Sequence, residues 1–209
     1  RSARGTRIAT DRGPVAVEHL REGDRIKTRD SGWQPIRWIG STTVSGLGED
    51  APVDIAPGTF GNRRALTVSP RHRMLVAGWQ VEVHFGVDEA FVPARLMLDG
   101  TRVRQVPRAE VEYFHILLDR HEVIFAEGAA SESFHPGAEG WKTLSDSAKA
   151  QIIDRFPALA DGFASFGPTA RPVLTGTEAA LLRALNGSTV PVQPVAPSAA
   201  VIRLLDRFS

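Results

Sequence analysis

From residue 1 to about residue 134, apolar positions come in short alternating runs cut by Gly, Pro or Asp. Arg25-Ile26-Lys27-Thr28 alternates polar and apolar, as a strand with one buried face does. The segments 7–10, 15–17, 34–39, 66–76, 80–85, 101–106, 111–118 and 122–126 also read as strands. Turns fall at Asp11-Arg12-Gly13-Pro14, Arg21-Glu22-Gly23-Asp24 and Asp30-Ser31-Gly32, and residues 45–51 and 57–64 read as exposed loops. Pro35, Pro52, Pro57, Pro70, Pro93 and Pro107 disfavour long helices here. The predicted class is all-β.

The period lengthens after His135-Pro136-Gly137. Ser145 can cap a helix that ends near Phe156-Pro157, with Ala148, Ile152 and Phe156 on one face. A second helix is predicted over 177–187. A proline-bearing linker follows over 187–198, then a last helix over 199–208 capped by Ser198. The expected division is therefore a β domain at 1–135 and a helical extension at 136–209, packed on the β part or serving as a partner-binding arm.

Composition narrows the classes. Lys+Arg 25 against Asp+Glu 24 gives a formal charge of +1, with no basic concentration that would point to nucleic acid. No run of 18 apolar residues predicts a membrane span, and no signal-peptide pattern is legible. Cysteine is absent, which excludes disulfides, thiolate metal sites and any thiol chemistry from this chain's own residues.

The chemistry concentrates at Ser69-Pro70-Arg71-His72. A hydroxyl and an imidazole three residues apart can grip one peptide bond and protonate its nitrogen. Alone, the same four residues read as an ordinary turn. His115 and His121 differ by an even number, so one regular strand would put them on a shared face with Asp119; a hairpin turn at Asp119-Arg120-His121 would undo that. Four histidines (His72, His84, His115, His121) could in principle ligate zinc, but their spacing matches no zinc pattern, and neither metal nor cofactor is expected. Trp33, Trp38, Trp79 and Trp141 read as core or interface residues, Asp11 and Asp24 as turn residues.

The order of segments is more specific than any one of them. Gly5-Thr6-Arg7-Ile8-Ala9-Thr10, Val17-Glu18-His19-Leu20-Arg21-Glu22-Gly23-Asp24 and Pro35-Ile36-Arg37-Trp38-Ile39-Gly40 are followed by Val68-Ser69-Pro70-Arg71-His72-Arg73. Then come Phe91-Val92-Pro93-Ala94-Arg95-Leu96, Tyr113-Phe114-His115-Ile116-Leu117-Leu118 and Ser131-Glu132-Ser133-Phe134. This series resembles the Hint domain, the self-processing module of inteins and hedgehog proteins, and is most similar to its bacterial family with a helical extension. The resemblance implies a compact, pseudo-two-fold, horseshoe-like β fold. It also implies attack by the first side chain on the peptide bond before it.

By that resemblance His72 protonates the leaving nitrogen, Ser69 donates a hydrogen bond, His115 assists, and His121 matches a histidine that aids later cleavage in inteins. The nucleophile position falls at Arg1, where the family usually has Cys. Ser131-Glu132-Ser133 stands where inteins carry His-Asn, so Asn cyclisation is not expected. The substrate would be the chain's own upstream polypeptide, and the acceptor water, an amine or another nucleophile. The alternative is a degenerate Hint fold acting as a binding or structural domain. The resemblance leans towards a secreted or cell-surface host in a bacterium.

Overall fold

In the computed structural model, which describes residues 1–185, the strands pair antiparallel into two sheets. The expected linker and last helix lie outside the described residues. In chain order the strands are β1 (Ser2–Ala3), β2 (Arg7–Thr10), β3 (Gly13–Ala16), β4 (Arg25–Lys27), β5 (Trp33–Pro35), β6 (Trp38–Gly46) and β7 (Val53–Ile55). They continue with β8 (Leu66–Val68), β9 (Arg73–Ala77), β10 (Glu89–Pro93), β11 (Val103–Gln105), β12 (Arg108–Leu117), β13 (Val123–Ala126) and β14 (Ala129–Glu132). The first sheet runs β11-β7-β8-β1-β12-β6. The second runs β10-β9-β14-β13-β2-β4-β5, with β3 against β2. Their inner faces share one apolar core that includes Ile8, Ile26, Val68, Val92, Ile116 and Ile124. Burying each such side chain contributes ~1.5–3 kcal/mol.

Two predicted strands are each broken between the sheets. The run 66–76 is interrupted at Ser69–His72, so β8 belongs to the first sheet and β9 to the second. Pro70 cannot donate to a ladder, and His72 N–H instead closes a turn on the Ser69 carbonyl at 2.9 Å. Likewise 34–39 divides into β5 and β6, and β6 continues to Gly46, into what reads as loop. It pairs with β12 and places Gly40 opposite His115. A Cβ at position 40 would stand 2.4 Å from the Trp38 ring, so only glycine lets that indole lie flat against the strand.

The segment 80–85 is a correction. It forms a helix, α1 (Trp79–Phe85), where alternation predicts a strand. Val81 and Phe85, four apart, turn to the core, while Val83 is 68% exposed. The left-handed Gly86, at φ 68°, ends the helix.

The remaining helices are α2 (Ala138–Lys142), α3 (Asp146–Arg155) and α4 (Gly176–Leu185). Ser145 caps α3 by accepting from Ala148 N–H at 3.1 Å. Ile152, Ala148 and Phe156 pack with Trp38, Leu117 and Phe134, while Trp38 Nε1–H donates to Gln151 at 2.9 Å. At α4 the capping residue is Thr175, which exchanges hydrogen bonds with Glu178. Between these helices a strap, residues 169–174, lies along β10. Phe91 N–H donates to Pro172 O, and Leu174 N–H to Phe91 O, both at 2.8 Å. The architecture is thus mostly β with helices in the C-terminal part. Among the described residues no helix is long and apolar enough to cross a membrane.

Candidate active site

The Ser69–His72 turn sits where the two sheets meet, and β1 brings residue 1 to it. Ser2 pairs with Val68 on one side and Phe114 on the other. That register carries Arg1 along the turn, where its carbonyl accepts from Ser69 N–H at 3.1 Å. The amine nitrogen of Arg1 is then 2.5 Å from His72 Nδ1. The turn itself is pinned by Ala94 N–H on the His72 carbonyl at 2.8 Å and Arg95 N–H on the Pro70 carbonyl at 2.9 Å. Arg1, Ser69 and His72 open on a cavity of about 580 Å³, whose lining also includes Arg73, Glu132, Ser133, Phe134 and His135.

Burial favours the uncharged forms of the residue-1 amine and of His72. Burial, then the neighbouring positive charges, hold His72 well below the ordinary imidazole value. Burial also lowers the residue-1 amine from 8.0 to about 5. At neutral pH the amine therefore donates to an unprotonated Nδ1, which leaves the His72 proton on Nε2. That nitrogen has no partner among the described residues, and neither has Ser69 Oγ. Unpartnered buried polar atoms are expensive, so their concentration at one point marks a place built for another group.

His115, on β12, is 1% exposed, and neither ring nitrogen has a partner among the described residues. Its imidazole packs edge-on against Phe134, a cavity wall residue, with centroids 5.0 Å apart. Burial, followed by the charges of Arg1, the amine and His72, lowers its pKa well below the usual value. His115 therefore stands behind the cavity wall, within electrostatic reach of His72.

His121 is placed differently from either sequence expectation. β12 ends at Leu117, so the two histidines do not share one regular strand. Asp119 turns outward to pair with Arg37, yet His121 is only 2% exposed, which excludes a surface turn. Its Nδ1 accepts from Ala170 N–H at 3.0 Å, and its Nε2 faces Ser133 O at 3.1 Å and Glu132 Oε2 at 3.4 Å. Its ring lies 5.1 Å from that of His135.

His84 lies exposed on α1 and is absent from the cavity lining. Among the described residues no group of three or more His, Cys, Asp or Glu is placed to hold a metal. Of the tryptophans read as core or interface residues, Trp38 is buried and Trp141 packs partly buried against the same cluster, while Trp33 and Trp79 are exposed.

The sequence reading missed Glu132 as a site residue. Glu132 Oε1 accepts from Arg73 N–H at 3.0 Å and stands 3.7 Å from His72 Nδ1. Burial pushes this carboxyl up, but the hydrogen bond from His121 and the surrounding positive charge outweigh it and bring it down to about 2. Because His72 is neutral at pH 7, its contact with Glu132 is not an ion pair there. The only signal in the sequence is position: Glu132 lies at the end of β14, whose Ser131 pairs with Met74 beside Arg73.

The mostly β fold of two sheets with helices in the C-terminal part is that of a Hint-type, self-processing class of domain. The Hint domain family matches residues 2–138, and the chain belongs to that family. Hint domains act on their own polypeptide. Similar solved structures include a bacterial intein-like domain from Clostridium thermocellum, at 12% identity and TM-score 0.45, covering 64% of this chain and 97% of that one. The MchDnaB-1 intein is also similar, at 12% identity and TM-score 0.43, with 64% of this chain and 100% of that one covered. No curated protein matches.

Proposed function

We propose that this fold cleaves the peptide bond preceding residue 1 by an intramolecular acyl shift whenever residue 1 carries a nucleophile. The observation that carries the reading is the residue-1 nitrogen 2.5 Å from His72 Nδ1. In a precursor that nitrogen is the amide of the bond to be broken. A thiol at position 1 attacks the preceding carbonyl carbon; a C–S bond forms and the C–N bond breaks. The S–H proton is lost to the surroundings while protonated His72 delivers one to the departing nitrogen, so the net proton count is unchanged. Water, an amine or an added thiol then attacks the thioester, releasing the upstream segment and regenerating the side chain.

Ser69 Oγ, buried and unpartnered, is a ready donor to the bond under attack. His115 keeps a neutral imidazole behind the wall, in the assisting role that the family resemblance gives it. In a precursor the residue-1 amine charge no longer exists, which removes one of the influences that depress His72. With Ser131-Glu132-Ser133 at the end of β14 there is no Asn to cyclise, so a single cleavage is the expected outcome.

Arg1 carries no attacking atom, and the chain has no cysteine. That favours a second reading, a fold that keeps the grip and serves for binding. A reporter fused upstream of the Arg1→Cys variant separates the two. Thiol-induced release of the reporter, lost in His72→Ala, supports processing. Release equally fast without His72 would falsify the assignment, and no release at all favours binding.

A further inference from the structure

Glu132 is a half-buried carboxylate lying between two imidazoles, and His121 is held by the C-terminal strap. Ala170 N–H donates to His121 Nδ1 at 3.0 Å. A neutral imidazole has one N–H, so this contact places it on Nε2, towards Ser133 O and Glu132 Oε2 at 3.4 Å. Glu132 is further tied by Arg73, whose backbone N–H donates to Oε1 at 3.0 Å and whose Nη1 donates to Oε2 at 3.3 Å. From Oε1 it is 3.7 Å to His72 Nδ1, and from there 2.5 Å to the residue-1 nitrogen.

The strap end of this series is fixed as firmly as the strand end. Arg171 donates to both oxygens of Asp30 at 2.9 Å and to Glu89 at 2.7 Å. The two bonds to Phe91 complete the attachment.

We propose that Glu132 is a positioning residue for His72, and that the strap 169–174 sets Glu132 through the tautomer of His121. The inference rests on the reading that His72 is the acid for the residue-1 bond. The groups that face His72 are the Arg1 amine and guanidinium, Arg73, Glu132 and, beyond them, His115. Glu132 is the one anion among them, so it alone opposes burial and the cations in favouring a protonated His72. The helical part of the chain thereby acts on a site formed by the β part.

Two measurements test this. The first is thiol-induced release from the Arg1→Cys reporter fusion as a function of pH. Glu132→Gln is expected to slow release ~10-fold at neutral pH and move the profile to lower pH, because His72 loses the one anion that favours its protonated form. Glu132→Asp is expected to restore most of the profile. The second is long-range ¹H–¹⁵N spectroscopy of the imidazoles in the chain carrying Arg1. His121 is expected as the Nε2–H form, and Ala170→Pro, which removes the donor, is expected to bring in the Nδ1–H form.

An unchanged profile in Glu132→Gln, or an unchanged His121 tautomer in a folded Ala170→Pro chain, overturns the proposal. Should Ala170→Pro not fold, Arg171→Ala loosens the same strap and is read the same way. Should the parent fusion release nothing, the processing reading fails. The His72 titration then decides the positioning role: lowered in Glu132→Gln supports it, unmoved overturns it.

Discussion

The buried corner around residue 1 has two sides that differ in one respect. On the β13–β14 side Ser131 Oγ lacks a partner among the described residues, but His121, Glu132 and Ser133 are engaged: Ala170 and the Ser133 carbonyl hold His121, Arg73 holds Glu132, and Ser133 Oγ accepts from Glu122 N–H at 3.0 Å. On the β8–β12 side, Ser69 Oγ, His72 Nε2 and both nitrogens of His115 lack partners among the described residues. Burial is similar on both sides, so exposure does not explain the contrast. A largely satisfied network holds shape; an unsatisfied one keeps hydrogen-bonding capacity in reserve for a peptide bond.

The largest expected effect follows directly. In the Arg1→Cys fusion, His72→Ala should slow release ~10²–10⁴-fold, the usual range for a positioned acid, as followed by gel or mass measurement. Ser69→Ala should slow it less. A slower fusion with His121→Leu but a normal one with His72→Ala would invert the comparison.

Stability should show the opposite ranking. His121→Leu strands the Ala170 N–H and the Ser133 carbonyl, and each buried orphan costs ~1–3 kcal/mol. Denaturant melts should therefore report a clear loss. His115→Leu removes an imidazole that had no partners and fills similar volume, so stability should hold or rise. Equal losses in the two variants would erase the distinction between the sides.

pH supplies a third test. The amine, His72 and His115 all have folded pKa values below their unfolded ones, the amine falling from 8.0 to about 5. The unfolded chain thus binds more protons, and stability should fall as pH drops from 8 towards 5. The slope is at most about 1.4 kcal/mol per pH unit for each group. Glu132, lowered to about 2, adds a further loss below 4.5. Acetylating the residue-1 amine should flatten the upper limb alone. The smallest effect is Ser69→Ala on stability, within ~0.5 kcal/mol, since Oγ has no bond to lose.

The alternating runs made many strands legible, though β1, β7, β10 and β14 fall outside the predicted segments, and the Ser69-x-x-His72 pair singled out in the sequence is found beside residue 1. What the pattern could not convey was sheet membership. Leu66–Val68 and Met74–Val76 both read as strand, yet the turn between them sends them to different sheets. Gln80–Phe85 alternates like a strand, but its few residues fit either period, and the flanking Gly78 and Gly86 favour a short helix. Glu132 was invisible for a different reason. A lone carboxylate at a strand end carries no local signature, and its partners lie 60 and 11 positions away, at His72 and His121. Long-range pairing, which gives the site its electrostatics, is absent from local periodicity.

The central claim is that the unpaired side is held neutral and in wait while the paired side is locked. ¹⁵N chemical shifts of the imidazoles through an acid titration of the folded chain test it most directly. His72 and His115 should stay neutral well below pH 6.5, with His121 as the single Nε2–H form at neutral pH. An ordinary titration of His72 or His115 near 6.5, or a tautomer mixture at His121, would contradict the account.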